Sequence, residues 1–73
     1  MGAMYKQHGI MIRVNGNEHP LIHVHVLHAD GKALVYLNGK VLNSGVPDAA
    51  LRVAQTWIAA NKPEIEAEWQ RWN

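Results

Sequence analysis

Residues 19–37, which read HPLIHVHVLHADGKALVYL, contain the clearest secondary-structure signal of the chain. Two aliphatic runs flank the pair Asp30-Gly31, an arrangement typical of a tight antiparallel hairpin. Successive side chains of a strand point to opposite faces of the sheet. His23 and His25 are therefore expected to emerge together on one face, and the valines between and after them on the other.

Other turn signals extend this hairpin into a meander. The pairs Asn15-Gly16 and Asn38-Gly39 supply the positive φ angles that tight turns need. Pro20 has no N–H to donate to a ladder, so it marks the entry to a strand. We therefore predict an antiparallel meander of three to four strands, at Gly9–Asn15, Leu21–His28, Lys32–Leu37 and a short Lys40–Leu42.

A two-residue turn at Asp30-Gly31 would place Leu27 opposite Leu34, and residues opposed in this way share a face. The side of the sheet that carries the histidines, called the histidine face below, is then predicted to hold Met11, Arg13, His23, His25, Leu27, Leu34, Tyr36 and Val41. The opposite side is predicted to be wholly aliphatic, with Ile10, Ile12, Val14, Val24, Val26, Val35 and Leu37.

The remainder of the chain predicts two helices. Pro47 suits a first helical position. Apolar residues then recur at helical spacing through about Ala60, at Ala50, Val53, Ala54, Trp57 and Ile58. Asn61 is a stop signal, and Pro63 is expected to open a second helix. One stripe of this second helix is apolar, at Ile65, Trp69 and Trp72. The predicted fold class is α+β, an antiparallel meander of three to four strands followed by two C-terminal helices packed on its aliphatic face.

Length and composition restrict the function further. The 73 residues suffice for one domain, here assigned to residues 4–73, and Met1-Gly2-Ala3 is interpreted as an expression scar. Cysteine is absent, which excludes disulfides and thiolate chemistry. The formal net charge is only +1, so charge alone does not indicate a nucleic-acid binder. No apolar run approaches the ~20 residues of a membrane span, and we expect a cytoplasmic protein.

The order of motifs resembles a known family. These motifs are Glu18-His19, His23-Val24-His25-Val26, Gly39-Lys40-Val41-Leu42, Gly45-Val46-Pro47, Trp57-Ile58 and the segment 64–69. Together they are similar to the small bacterial family of domains of unknown function numbered 4160, with Leu21-Ile22 standing where that family usually has two prolines. The resemblance implies a compact bacterial domain, often encoded beside another short reading frame in arrangements that look like toxin–antitoxin pairs, and it implies no established reaction.

Metal binding is one hypothesis for the histidines. A His-x-His pair on a strand places two ring nitrogens on the same side, where they can share a divalent ion such as zinc. The predicted ligands are His23 and His25, and a third ligand is expected from His19 or Glu18 in the preceding loop, or from His28.

Binding or cleavage of nucleic acid is a second hypothesis. A metal-independent ribonuclease needs a proton donor and acceptor near neutral pH and a cation for the phosphate. His23 and His25 would be the base and acid, and Arg13 would hold the phosphate. Tyr36 would stack on a nucleotide base or orient an imidazole. Binding of RNA without cleavage needs only part of this set.

Association with another protein is the leading hypothesis. Helices on one side of the sheet leave the other side open, and Met11, Leu27, Leu34, Tyr36 and Val41 make it more apolar than a solvated surface. The expected occupant is a small partner protein, as in a toxin–antitoxin-like pair, or a second copy of the chain. No membrane partner is expected.

Overall fold

A computed structural model describes residues 3–16 and 21–73 of the chain. They form one antiparallel sheet whose strands lie in sequence order, followed by two helices. The strands are β1 (Ala3–Gln7), β2 (Ile10–Arg13), β3 (His23–His28), β4 (Gly31–Tyr36) and β5 (Val41–Ser44), and the helices are α1 (Asp48–Ala60) and α2 (Lys62–Trp72). The predicted α+β class and meander are confirmed, with one strand more than expected.

The additional strand, β1, precedes the predicted first strand. Gln7 pairs with Ile10, so the connection between β1 and β2 consists of His8 and Gly9, both at positive φ (56° and 75°). Positive φ at both central residues is typical of the hairpin turn whose twist matches that of the strands. Tyr5 lies on the aliphatic side of β1, and its ring packs 5.5 Å from that of Trp57 in α1.

The turn between β3 and β4 lies one residue earlier than predicted, which shifts the pairing of the two strands by two residues. His28 pairs with Gly31, so the loop is Ala29-Asp30, and the amide of Asp30 donates a hydrogen bond to Nδ1 of His28 (3.0 Å). Gly31 does not adopt a positive φ angle. Glycine is needed there because a Cβ would collide with the carbonyl oxygen of Ser44 on the neighbouring strand. A shift of two residues preserves the parity of the pairing, so the predicted faces of both strands are correct.

The turn between β4 and β5 is one residue longer than predicted. Tyr36 donates its amide to the carbonyl of Lys40 (2.8 Å), and Gly39 lies at φ +100° inside a three-residue loop. The longer loop shifts the pairing of β5 with β4 by one residue, so each side chain of β5 lies on the face opposite to the one predicted. Val41 pairs with Val35 on the aliphatic side, so its predicted place on the histidine face is wrong, and Leu42 takes that place opposite Leu34.

The core lies between the aliphatic side of the sheet and the helices. Its buried members are Ile10, Ile12, Val14, Val24, Val26, Ala33, Val35, Val46, Ala54, Ile58, Ile65 and Trp69. The helical stripes are confirmed except at Val53 and Trp72, which are exposed. Neither of the two helices described has the length and apolarity needed to cross a membrane.

Candidate functional site

The histidine face is built from side chains that stand in three rows across the strands. The first row is Lys6, Met11, Leu27, Lys32 and Ser44; the second is Arg13, His25, Leu34 and Leu42; the third is His23 and Tyr36. Neighbouring strands are ~4.8 Å apart, so residues adjacent within a row are in side-chain contact distance. The first two rows form a continuous surface, and the third row is different.

The third row is sealed by a tryptophan. His23 is only 1% exposed, and its ring lies 5.1 Å from Trp69 of α2, 4.9 Å from Tyr36 and 5.4 Å from His25. Its Nδ1 donates to the carbonyl of Leu21 (2.9 Å), since a carbonyl can only accept. We call His23, Tyr36 and Trp69 the closed end of the histidine face. His23 is a packed core residue there.

Helix α2 reaches the closed end because its C-terminal end lies next to the segment that follows β2. The side-chain amide of Asn73, which follows α2, donates to the carbonyl of Asn15 just beyond β2 (3.2 Å). Trp69 stands one turn earlier in the helix and is 7% exposed. The sequence correctly predicts Trp69 as a core residue but assigns it to the aliphatic face. No local pattern shows that it also covers His23, since this depends on the tertiary placement of α2.

The first two rows stay open, and we call the side chains of Met11, Leu27, Lys32, Leu34 and Leu42 the open region. Leu42 is 48% exposed and the other three apolar residues are half-buried, like Arg13 and His25 beside them. A groove of about 520 Å³ runs over the β4–β5 side, lined by His25, Lys32, Ala33, Leu34, Val41, Leu42, Asn43 and Ser44. A smaller concavity of about 350 Å³ lies at the β1–β2 turn, next to Lys6, Met11 and Leu27. The sequence does not predict that Leu42 belongs to this surface. The face on which Leu42 lies depends on the length of the loop that contains Asn38-Gly39, and the sequence does not determine that length.

The charges of this face have one sign. Lys6, Arg13 and Lys32 lie in its rows, and no carboxylate of residues 3–16 or 21–73 does. The ion pair seen within those ranges lies elsewhere, between Glu68 and Arg71 (4.0 Å). The Nε of Arg13 is buried without a hydrogen-bond partner. An acidic ligand would therefore meet cations that the described part of the chain leaves uncompensated.

The predicted catalytic set is brought together only in part. Arg13 pairs directly with His25 across β2 and β3, and His23 is the next ring on that face. A general acid and base must both reach the substrate within hydrogen-bond distance. Because His23 lies beneath Trp69 and Tyr36, only His25 and Arg13 are placed to touch a molecule on this surface.

The predicted metal set extends beyond the described residues. In residues 3–16 and 21–73 no cluster of three or more histidine or carboxylate side chains could hold an ion. His23 uses Nδ1 for the carbonyl of Leu21. Of the candidates for the third ligand, His19 and Glu18 lie outside the described residues.

Comparison with known proteins gives one match. The model of a family described as a domain of unknown function (DUF4160) matches residues 9–70, which include β2 to β5, α1 and most of α2. No curated protein and no solved structure matches the chain.

Proposed function

This chain belongs to the DUF4160 family, and we propose that it is a small binding module that recognises a partner protein through the open region of its histidine face. One observation carries the proposal. Both helices cover the aliphatic side or the closed end, which leaves four apolar side chains side by side on the open region: Met11, Leu27, Leu34 and Leu42. Contiguous apolar surface of this kind marks interaction sites on small proteins.

The aliphatic character of this surface favours a protein over nucleic acid. Single-stranded nucleic acid is held on sheets by exposed aromatic rings that stack on bases. The one tyrosine of this face, Tyr36, is 9% exposed and packs against His23. The half-buried ring of His25 is the stacking surface that remains among the described residues of the face. Leucine and methionine instead suit the apolar centre of a protein interface.

The same surface favours binding over catalysis. A catalytic pair of histidines would need both rings at the surface, whereas the ring of His23 is buried in the closed end. Lys6, Arg13 and Lys32 surround an apolar centre, which is the arrangement of a protein interface with a charged rim. We assign the module to a cytoplasmic pair of the toxin–antitoxin-like kind, in which the partner is the product of a neighbouring reading frame.

Co-expression with the neighbouring product tests this proposal. The wild-type chain is expected to elute with it as one complex in size-exclusion chromatography with light scattering. Leu42→Asp is expected to abolish that complex, because it places a charge at the centre of the apolar surface. Leu42 is exposed and lies on an edge strand, so the folded state tolerates this change.

Val53→Asp is the matched control. Val53 is an exposed apolar residue of α1, away from the histidine face, and its substitution should leave the complex intact. A complex that survives Leu42→Asp and Leu34→Ser alike would contradict the proposal. If the chain alone self-associates and the same substitutions abolish this self-association, the occupant of the open region is a second copy of the chain.

A further inference from the structure

The groove over β4 and β5 is the larger of the two concavities described above, with about 520 Å³ against about 350 Å³. Its floor is apolar, formed by Leu34 and the exposed Leu42, which pair directly across the two strands. Its volume of about 520 Å³ lies in the range of ~300–1,000 Å³ that ligand sites occupy. The groove therefore has room for a large aliphatic side chain together with the backbone that carries it.

The walls of the groove are held in place by contacts of their own. The side-chain amide of Asn43 donates to the carbonyl of Val46 (2.9 Å) and accepts from its N–H (3.0 Å), which fixes the end of β5. Gly31 and Gly45 allow β4 and β5 to approach closely there, since a Cβ on Gly45 would lie 2.7 Å from the carbonyl of Asp30. A site that is formed before binding loses less free energy to ordering than a flexible one.

One rim of the groove is cationic and polar. Lys32 pairs with Ser44 across β4 and β5, so an ammonium and a hydroxyl stand next to each other above the apolar floor. Lys32 forms no ion pair with any residue in the described ranges, and His25 lies next to Leu34 on the β3 side of the groove. An ammonium and a hydroxyl donor placed in this way can together hold a carboxylate.

We infer that this groove is the anchor site of the interface and takes a leucine- or isoleucine-sized side chain of an acidic partner segment. The aliphatic side chain lies on Leu34 and Leu42, and a flanking carboxylate pairs with Lys32 and Ser44. This inference rests on the proposed function and specifies the chemistry of the partner. Charge complementarity selects the occupant, since the described histidine face holds three cations and no carboxylate.

Titration of the isotope-labelled full chain with peptide probes tests the inference by NMR. The probe is a capped hexapeptide with two leucines between pairs of glutamates. We expect weak binding, with a Kd of roughly 1 mM, and amide shifts concentrated at Leu34, Leu42 and Ser44. Replacing the glutamates by lysines, or the leucines by serines, should abolish these shifts.

Charge reversal supplies the matched pair of variants. Lys32→Glu should weaken the glutamate peptide about fivefold, as expected for one exposed ion pair whose sign is reversed. Lys40→Glu makes the same change in an exposed residue of the β4–β5 loop, away from the groove, and should leave the affinity unchanged.

The outcomes separate the two proposals. Shifts confined to Met11 and Leu27 would overturn the anchor site while leaving the open region as the binding surface. Absence of shifts at the groove, equal binding of the lysine peptide, or stronger shifts there with a uridine hexanucleotide would also overturn the inference. Loss of the partner complex in Leu42→Asp would still support the proposed function in each case.

Discussion

His23 and His25 lie two positions apart on the same face of the same strand, yet they occupy different environments. His23 is 1% exposed beneath Trp69, whereas His25 is half-buried beside Arg13 and the groove. Strand alternation gives both rings the same direction. Access is decided by α2, which crosses one end of the sheet and leaves the other end open. A histidine pair in a strand is therefore not by itself a pair of accessible groups.

The two ends of the histidine face consequently have different roles in our account. The closed end belongs to the core and stabilises the fold, while the open region contributes little to stability and binds the partner. A small domain has little stability to spare, so substitutions at the two ends should differ clearly in unfolding experiments.

The largest expected effect is that of Trp69→Ala. It removes a buried indole that packs on His23, and it should lower the free energy of unfolding by about 3–5 kcal/mol, measured by urea denaturation. Trp72→Ala is the matched control, since Trp72 is 41% exposed and its indole nitrogen donates to Glu68 at the surface (2.7 Å). Its cost should stay below about 1 kcal/mol. Equal costs for the two tryptophans would contradict the distinction between the ends.

The two histidines themselves give the next largest difference. His23→Ala should cost about 2–3 kcal/mol, because it removes the ring packed on Trp69 and Tyr36 and the hydrogen bond to Leu21. His25→Ala should cost under about 1 kcal/mol, because its ring is half-buried. Thermal or urea unfolding of both variants at one pH measures the difference. A larger cost for His25→Ala would reverse the assignment of the ends.

Much of this arrangement can be predicted from the sequence. Alternation correctly assigns the faces of β3 and β4 even though the turn is placed one residue late, because this error shifts the pairing by two residues and an even shift preserves parity. The same reasoning fails for β5, since the pair Asn38-Gly39 fits both a two-residue turn and the three-residue loop observed. Strand β1 was missed because its sequence, AMYKQ, has no β-branched residue and its turn places a histidine at positive φ.

The closed end was beyond sequence reasoning for a different reason. The periodicity of α2 correctly identifies Ile65 and Trp69 as its buried stripe. It contains no information on where the helix axis crosses the sheet, and that crossing places Trp69 against His23. The sequence therefore identifies the pair His23 and His25 as candidate site residues. Only the tertiary structure shows that His23 belongs to the core.

Leu42→Ala should separate stability from binding at the open region. The side chain is 48% exposed, so its loss should change the free energy of unfolding by less than about 1 kcal/mol. Partner affinity should fall about tenfold or more, as for an apolar anchor at the centre of an interface. Calorimetric titration with the partner measures this. A change in stability without a change in affinity would place Leu42 in the fold and outside the interface.

The smallest expected effect concerns the cations. Lys6→Ala and Lys32→Ala should each change stability by less than about 0.5 kcal/mol, because neither lysine forms an ion pair within the described ranges. Each should slow association with an acidic partner and reduce its dependence on salt, which stopped-flow kinetics at several ionic strengths can measure. Association that is independent of salt would contradict an acidic partner.

Hydroxyl-radical footprinting of the chain, free and in complex with the neighbouring product, shows directly which end of the histidine face binds the partner. In the free chain Met11, Leu34 and Leu42 should be oxidised and Trp69 should be protected, because the open region is accessible and the closed end is sealed. In the complex the first three should become protected, while Trp72 on α2 stays reactive. Protection that appears on Val53 and the rest of α1, with the open region still oxidised, would contradict the account.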